Sequence, residues 1–123
     1  MNAVLQQPFV ERFRAADTPY LSPARIGEFF GFQIQELAER AHVHRNTPTA
    51  RPQAPQLQKY LQDMVRVLAA AAEMTGSETR AAFLLRNEPL RAFGYKTADI
   101  LIQEGRADDV IAYLESLAGG AAG

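Results

Sequence analysis

Leu37-Ala38-Glu39-Arg40-Ala41-His42-Val43-His44-Arg45-Asn46-Thr47 spells a short helix, a tight turn and the polar head of a second helix. Leu37 and Ala41 stand one helical turn apart on one face, and Ala38 is small enough to admit a crossing helix. Val43 is placed to plug the turn. Behind it, His44, Arg45, Asn46 and Thr47 set four hydrogen-bonding side chains in a row. A helix-turn-helix has this layout, because its second helix meets base edges with its N-terminal residues. His42 stands where such turns usually carry glycine for its left-handed backbone, a region His tolerates better than most residues. His44, Arg45, Asn46, Thr47, Thr49 and Arg51 are therefore the candidate DNA-contacting residues. The same polar side chains would also cap and solvate a helix start with no DNA near, so both readings stay open at this point.

Charge is distributed in keeping with the first of those readings. The 123-residue chain has a formal net charge of −1, yet no Asp or Glu lies between Arg40 and Lys59, where Arg45 and Arg51 are also basic. From Leu61 onward nine acidic side chains face six basic ones. A basic patch over the turn suits phosphate contact, and the acidic half suits a protein partner better than DNA. The chain has no cysteine, which removes disulfides and thiolate chemistry and is compatible with a reducing cytoplasm. Its longest purely apolar run, Val67 to Ala72, is far too short to span a membrane. No basic segment followed by an apolar one opens the sequence, so no signal peptide is expected. A soluble cytoplasmic protein with no membrane association is the expectation.

Working outward, every periodic segment predicts helix and none alternates as a strand. Pro8 to Ala16 is amphipathic, with Phe9 and Phe13 four apart. Ser22 and Pro23 are the N-cap and first residue of a helix with Ile26, Phe29 and Phe30 on its apolar face and Gly31 as its stop. Phe32 to Ala41 is the first helix of the motif, and the second is short, because Thr47 to Pro55 contains three prolines. The longest helix spans Gln56 to Met74, with Leu57, Leu61, Met64, Leu68 and Ala71 in a heptad-like stripe. That stripe reads first as packing against the same chain, with a homodimer seam as the alternative. Ser77 starts a helix that runs through Asn87, Thr97 caps another that stops at Gly105, and Asp108-Asp109 open the last. Val110, Ile111, Leu114 and Leu117 are its apolar face, and Gly119-Gly120-Ala121-Ala122-Gly123 is a short flexible tail. The fold class is all-α, with a helix-turn-helix region at 1–55, a connecting or dimerisation helix at 56–76 and a helical module at 77–123.

Catalytic chemistry finds little support. His42 and His44 alone supply too few ligands for a closed zinc site. Asp108 and Asp109 are helix neighbours and point apart. No nucleophile–base spacing and no Gly-rich phosphate loop occurs. No catalytic residue, metal or cofactor is expected.

The last third carries a more specific pattern. Phe83-Leu84-Leu85-Arg86-Asn87-Glu88-Pro89-Leu90, then Phe93-Gly94-Tyr95-Lys96-Thr97-Ala98, then Leu101, Glu104-Gly105, and Asp109-Val110 through Leu114 resemble the toxin-binding domain of Xre/MbcA/ParS antitoxins. The likeness covers Ala82 to Leu117. Phe83 stands where tryptophan is usual and is expected to fill a core, and Ala98 stands where proline is common. The upstream helix-turn-helix fits the same family's Xre-like DNA-binding half.

The resemblance implies an antitoxin that neutralises a RES-type, NAD-degrading toxin by blocking its cleft and binds its own operator DNA. It points to the last helix and tail as the toxin-contacting part, namely Leu114, Leu117, Gly119 and Gly120, supported by a turn of Phe93, Tyr95 and Lys96. The rival is a stand-alone helix-turn-helix regulator or adaptor without a toxin.

Overall fold

The computed structural model describes residues 9–120, which are mostly helical and contain no strand. They divide into two compact units, the first ending at Gln62 and the second beginning at Asp63, so the boundary falls inside the longest helix. Among the described residues no helix is long and apolar enough to cross a membrane.

The first unit contains α1 (9–13), α2 (Pro23–Phe30), α3 (Ile34–Ala41), α4 (Thr47–Ala50) and the opening turns of α5 (Pro55–Thr75). The Ser22 hydroxyl accepts the Arg25 N–H at 3.1 Å, satisfying a donor that the first turn of α2 leaves open. Gly31 ends that helix at φ 78°. Helix α3 begins two residues later than Phe32, because the Gln33 N–H donates to the Glu36 carboxylate at 2.8 Å and Gln33 becomes the cap. Gly27 lets the chain close here, since a Cβ on it would stand 2.7 Å from the Phe32 carbonyl oxygen. Ile26, Leu37, Leu57 and Leu61 are fully buried, with Phe9, Phe13, Phe30 and Phe32 around them. Phe29 meets Phe13 and Phe30 edge to face at 5.2 and 5.0 Å. Buried Gln58 accepts from the Leu21 N–H and donates to the Leu21 and Pro52 carbonyls, at 2.9, 2.9 and 2.7 Å. It gives otherwise orphaned loop groups their partners.

The second unit contains the rest of α5, α6 (Glu78–Asn87), a 3₁₀ turn (Arg91–Phe93), α7 (Ala98–Gln103) and α8 (Ala107–Gly120). Gly76 and Gly105 end their segments at φ 74° and 80°. Ser77 and Thr97 cap the helices after them, accepting from the Arg80 and Ile100 amides. The core is aliphatic, with Met64, Val67, Leu68, Leu85, Leu101, Val110 and Leu114 at 0% exposure. Asp108 and Asp109 occupy the first turn of α8. Asp108 accepts from Arg66 at 2.6 Å and Asp109 from Arg106 at 3.1 Å. The Asp108 hydrogen bond, aided by Asp63 and opposed by burial, holds the Arg66 guanidinium above its ordinary range.

The α5 stripe is resolved by burial. Leu57, Leu61, Met64, Leu68 and Ala71 are all fully buried within one chain, so the stripe packs intramolecularly. Two other expectations need correction. Phe83 does not fill a core but is 66% exposed. The expected tail begins later, because α8 continues through Gly119 and Gly120. Gly119 does not take the left-handed backbone that would stop the helix, and Ala121 to Gly123 lie outside the described residues.

Candidate functional site

Two turns carry the candidate residues, one in each unit. The first follows α3. His42 takes the left-handed conformation at φ 59°, ψ 42°. Its N–H donates to the Glu39 carbonyl and that of Val43 to the Ala38 carbonyl, at 3.1 and 3.0 Å. This is the paired closure of a Schellman turn, made with histidine in glycine's place. The Gln56 amide then donates to the Ala41 and His42 carbonyls, both at 3.0 Å, and ties the turn to the start of α5. Gln56 is a positioning residue that periodicity could not reveal, because it works through a carboxamide on a polar helix face.

The helix after the turn is shorter than the pattern suggests, and its candidate residues are differently placed. Helix α4 has four residues. Pro48 lies buried in its first turn, and Pro52 disfavours a helical Arg51, which sits at φ −141°, ψ 67°. His44, Arg45 and Asn46 therefore precede the helix instead of forming its head. Only Thr47 and Thr49 stand on it, with Arg51 at its end. The His44 Nδ1 accepts the Asn46 N–H at 3.1 Å, which holds the turn in shape. Arg45, Asn46, Thr49 and Arg51 are exposed and Thr47 is half-buried. Arg45 and Arg51 form no ion pair among the described residues, which leaves both guanidiniums available to an anion. Arg40, by contrast, is engaged on α3, 3.6 Å from Glu36 and 4.0 Å above the Phe32 ring.

The second turn joins α6 to α7. The Leu90 N–H donates to the Lys96 carbonyl and the Tyr95 N–H to the Leu90 carbonyl, each at 2.9 Å. Gly94 and Tyr95 are consecutive left-handed residues at φ 66° and 67°. Glycine adopts that backbone freely, but tyrosine does so only under constraint. Tyr95 nonetheless projects into solvent, 65% exposed. The other two turn residues are engaged by neighbours within the unit. Phe93 meets Tyr113 edge to face at 5.5 Å and lies 5.2 Å below the Arg106 guanidinium. Lys96 is paired with Glu104 at 2.8 Å, tying the turn to the end of α7.

On α8 the two candidate leucines separate. Leu114 is fully buried and belongs to the core, so it is not a surface contact. Leu117, one turn further on, is 42% exposed. Gly119 is exposed on the last turn beside Ala118, with Ala70, Glu73 and Glu115 on the same shallow groove.

The exposed large apolar residues of the described chain are Tyr20, Phe83, Tyr95, Ile100 and Leu117, and four of these five belong to the second unit. Phe83 and Ile100 had not been expected there. Helical periodicity held the signal for Phe83. With about 100° between residues, it lies nearly opposite the buried arc of Ala81, Leu84 and Leu85. Apolar groups displayed on a module with a complete core of its own are suited to protein contact, as the polar turn is suited to an anionic partner.

Residues 70–120 match the family model described as the antitoxin Xre/MbcA/ParS C-terminal toxin-binding domain. The match begins in the last turns of α5 and takes in α6, the 3₁₀ turn, α7 and α8. It supports an antitoxin role and therefore a toxin as protein partner. No curated protein and no solved structure matches the chain.

Proposed function

We propose that this chain is the antitoxin of a type II toxin–antitoxin pair whose toxin is a RES-type, NAD-degrading enzyme, and that it represses its own operon in the cytoplasm. The observation that carries the antitoxin role is the family match over 70–120, on a segment displaying Phe83, Tyr95, Ile100 and Leu117. The RES assignment rests on the order of parts from Phe83 to Leu114. Tyr95 and Leu117 are the toxin contacts in this scheme. Phe93 and Lys96 position the turn through Tyr113 and Glu104, and Gly119 and Gly120 keep the end of α8 narrow. The DNA arm rests on Arg45, Asn46 and Arg51, with Arg45 and Asn46 presented by the turn before α4. Operator binding as a homodimer requires a surface other than the buried α5 stripe.

Co-expression with the product of the adjacent reading frame tests this. The partner alone should deplete cellular NAD, and the pair should co-purify with NAD near its normal level. Tyr95→Ala combined with Leu117→Ser should weaken the complex by about tenfold or more. A partner that co-purifies but leaves NAD untouched removes the RES assignment. Failure to co-purify, with binding to many promoters, supports a stand-alone regulator instead.

A further inference from the structure

Phe83 is an unusual residue to find in water. Its ring is 66% exposed in the middle of α6, so most of its apolar area adds nothing to folding. It walls an open recess of about 810 Å³ with Met74, Thr79, Arg80, Leu84 and Glu88. Half-buried Met74 and buried Leu84 give the recess an apolar, adaptable floor. Arg80 and Glu88 are exposed on either side of Phe83, and neither side chain holds an ion pair among the described residues. Aromatic, Met and Arg side chains are the residue types enriched where interfaces bury their centres.

We infer that this recess is a second toxin-contacting surface, distinct from the Leu90–Thr97 turn. It would receive an apolar side chain of the toxin, with an acidic group placed over Arg80 and a basic one over Glu88. The inference rests on the antitoxin reading above. What favours a toxin as occupant is that every residue of the recess lies in the matched toxin-binding segment. Unpaired charges of both signs around an aromatic wall fit a protein surface better than a polyanion, which would be repelled by Glu88.

The test uses the full chain with the product of the adjacent reading frame. Phe83→Ser and Arg80→Glu are measured for affinity beside Tyr95→Ala, and a photoreactive benzoylphenylalanine replaces Phe83 in a third variant. Phe83→Ser should weaken toxin binding by about tenfold and Arg80→Glu by several-fold. The free chain should melt within about 2 °C of wild type, because the ring lies in water. The photoreactive chain should crosslink to the toxin. Crosslinking only to a second copy of the chain would make the recess a self-association surface and overturn the inference. Unchanged affinities with no crosslink to the toxin, while Tyr95→Ala still weakens binding, overturn it and leave the antitoxin reading intact. If wild type itself does not bind the adjacent product, both fall together.

Discussion

Phe9, Phe13, Phe30, Phe32 and Tyr60 are buried in the first unit, whereas Phe83 and Tyr95 in the second are 66% and 65% exposed. Phe93 and Tyr113, the second unit's other aromatics, are half-buried. The two units solve their cores differently. Short helices α2 and α3 meet at Gly27 and leave space that wide rings fill, in a run of ring contacts through Phe13, Phe29, Phe30 and Phe32. The second unit fills its interior with Met, Leu, Val and Ala from α5 through α8 and needs no ring for closure. Its exposed rings, Phe83 and Tyr95, are therefore available for contact outside the chain, while the buried rings of the first unit are structural. The polarity of the two turns follows the same division. The first shows His, Arg and Asn to solvent, and the second adds an aromatic, Tyr95, to its exposed Arg91 and Lys96.

The sharpest way to break this contrast is to make one substitution in both places. Phe30→Ala empties a site that is 3% exposed and should destabilise the chain by about 3–5 kcal/mol. Phe83→Ala should change stability by no more than about 0.5 kcal/mol. Denaturant titration of both variants checks this. Equal losses would mean that Phe83 is covered in solution and that its exposure is no guide to function.

Much of this architecture was legible because it is local. Ser22, Ser77 and Thr97 cap, and Gly31, Gly76 and Gly105 stop, where the sequence places them, since each needs only a nearby amide or a positive φ. The misplacements arose where a local pattern depends on distant coverage. Leu114 and Leu117 share a helix face, yet only the first is fully covered. At Phe83 the residue type usual in the family predicts a core ring, whereas the periodicity of its own helix points it away from Ala81, Leu84 and Leu85. The prolines announced a short α4, but not that Asn46 would take a turn geometry at φ −88°, ψ −10° and leave Arg45 outside the helix.

The next comparison concerns the polar turn. Arg45→Ala or Asn46→Ala should each weaken operator binding by about 1–3 kcal/mol while leaving toxin binding unchanged. Tyr95→Ala should do the reverse. A promoter titration at fixed salt, run beside the toxin affinity measurement, separates the two arms. Normal operator binding by an Arg45→Ala, Asn46→Ala double variant would show that this turn does not contact DNA.

The smallest effect is the most discriminating, because the two units share a backbone feature. His42 and Tyr95 are both non-glycine residues in the left-handed region, at φ 59° and 67°. That conformation crowds a Cβ against the following carbonyl and costs roughly 1–2 kcal/mol, part of which glycine recovers before its own entropy is counted. His42→Gly and Tyr95→Gly should therefore each raise stability by about 0.5–1 kcal/mol, a gain visible as a higher melting temperature. Their functional consequences should diverge. The His42 backbone is held by its own turn bonds and by Gln56, so glycine there should keep the turn and leave the proposed operator binding unchanged. At Tyr95 the strained residue is also the exposed ring, so the more stable variant should bind toxin less tightly. Strain retained at a surface residue is accounted for when its side chain is needed there. A Tyr95→Gly chain that is both more stable and equally effective against the toxin would show that the ring has no such role.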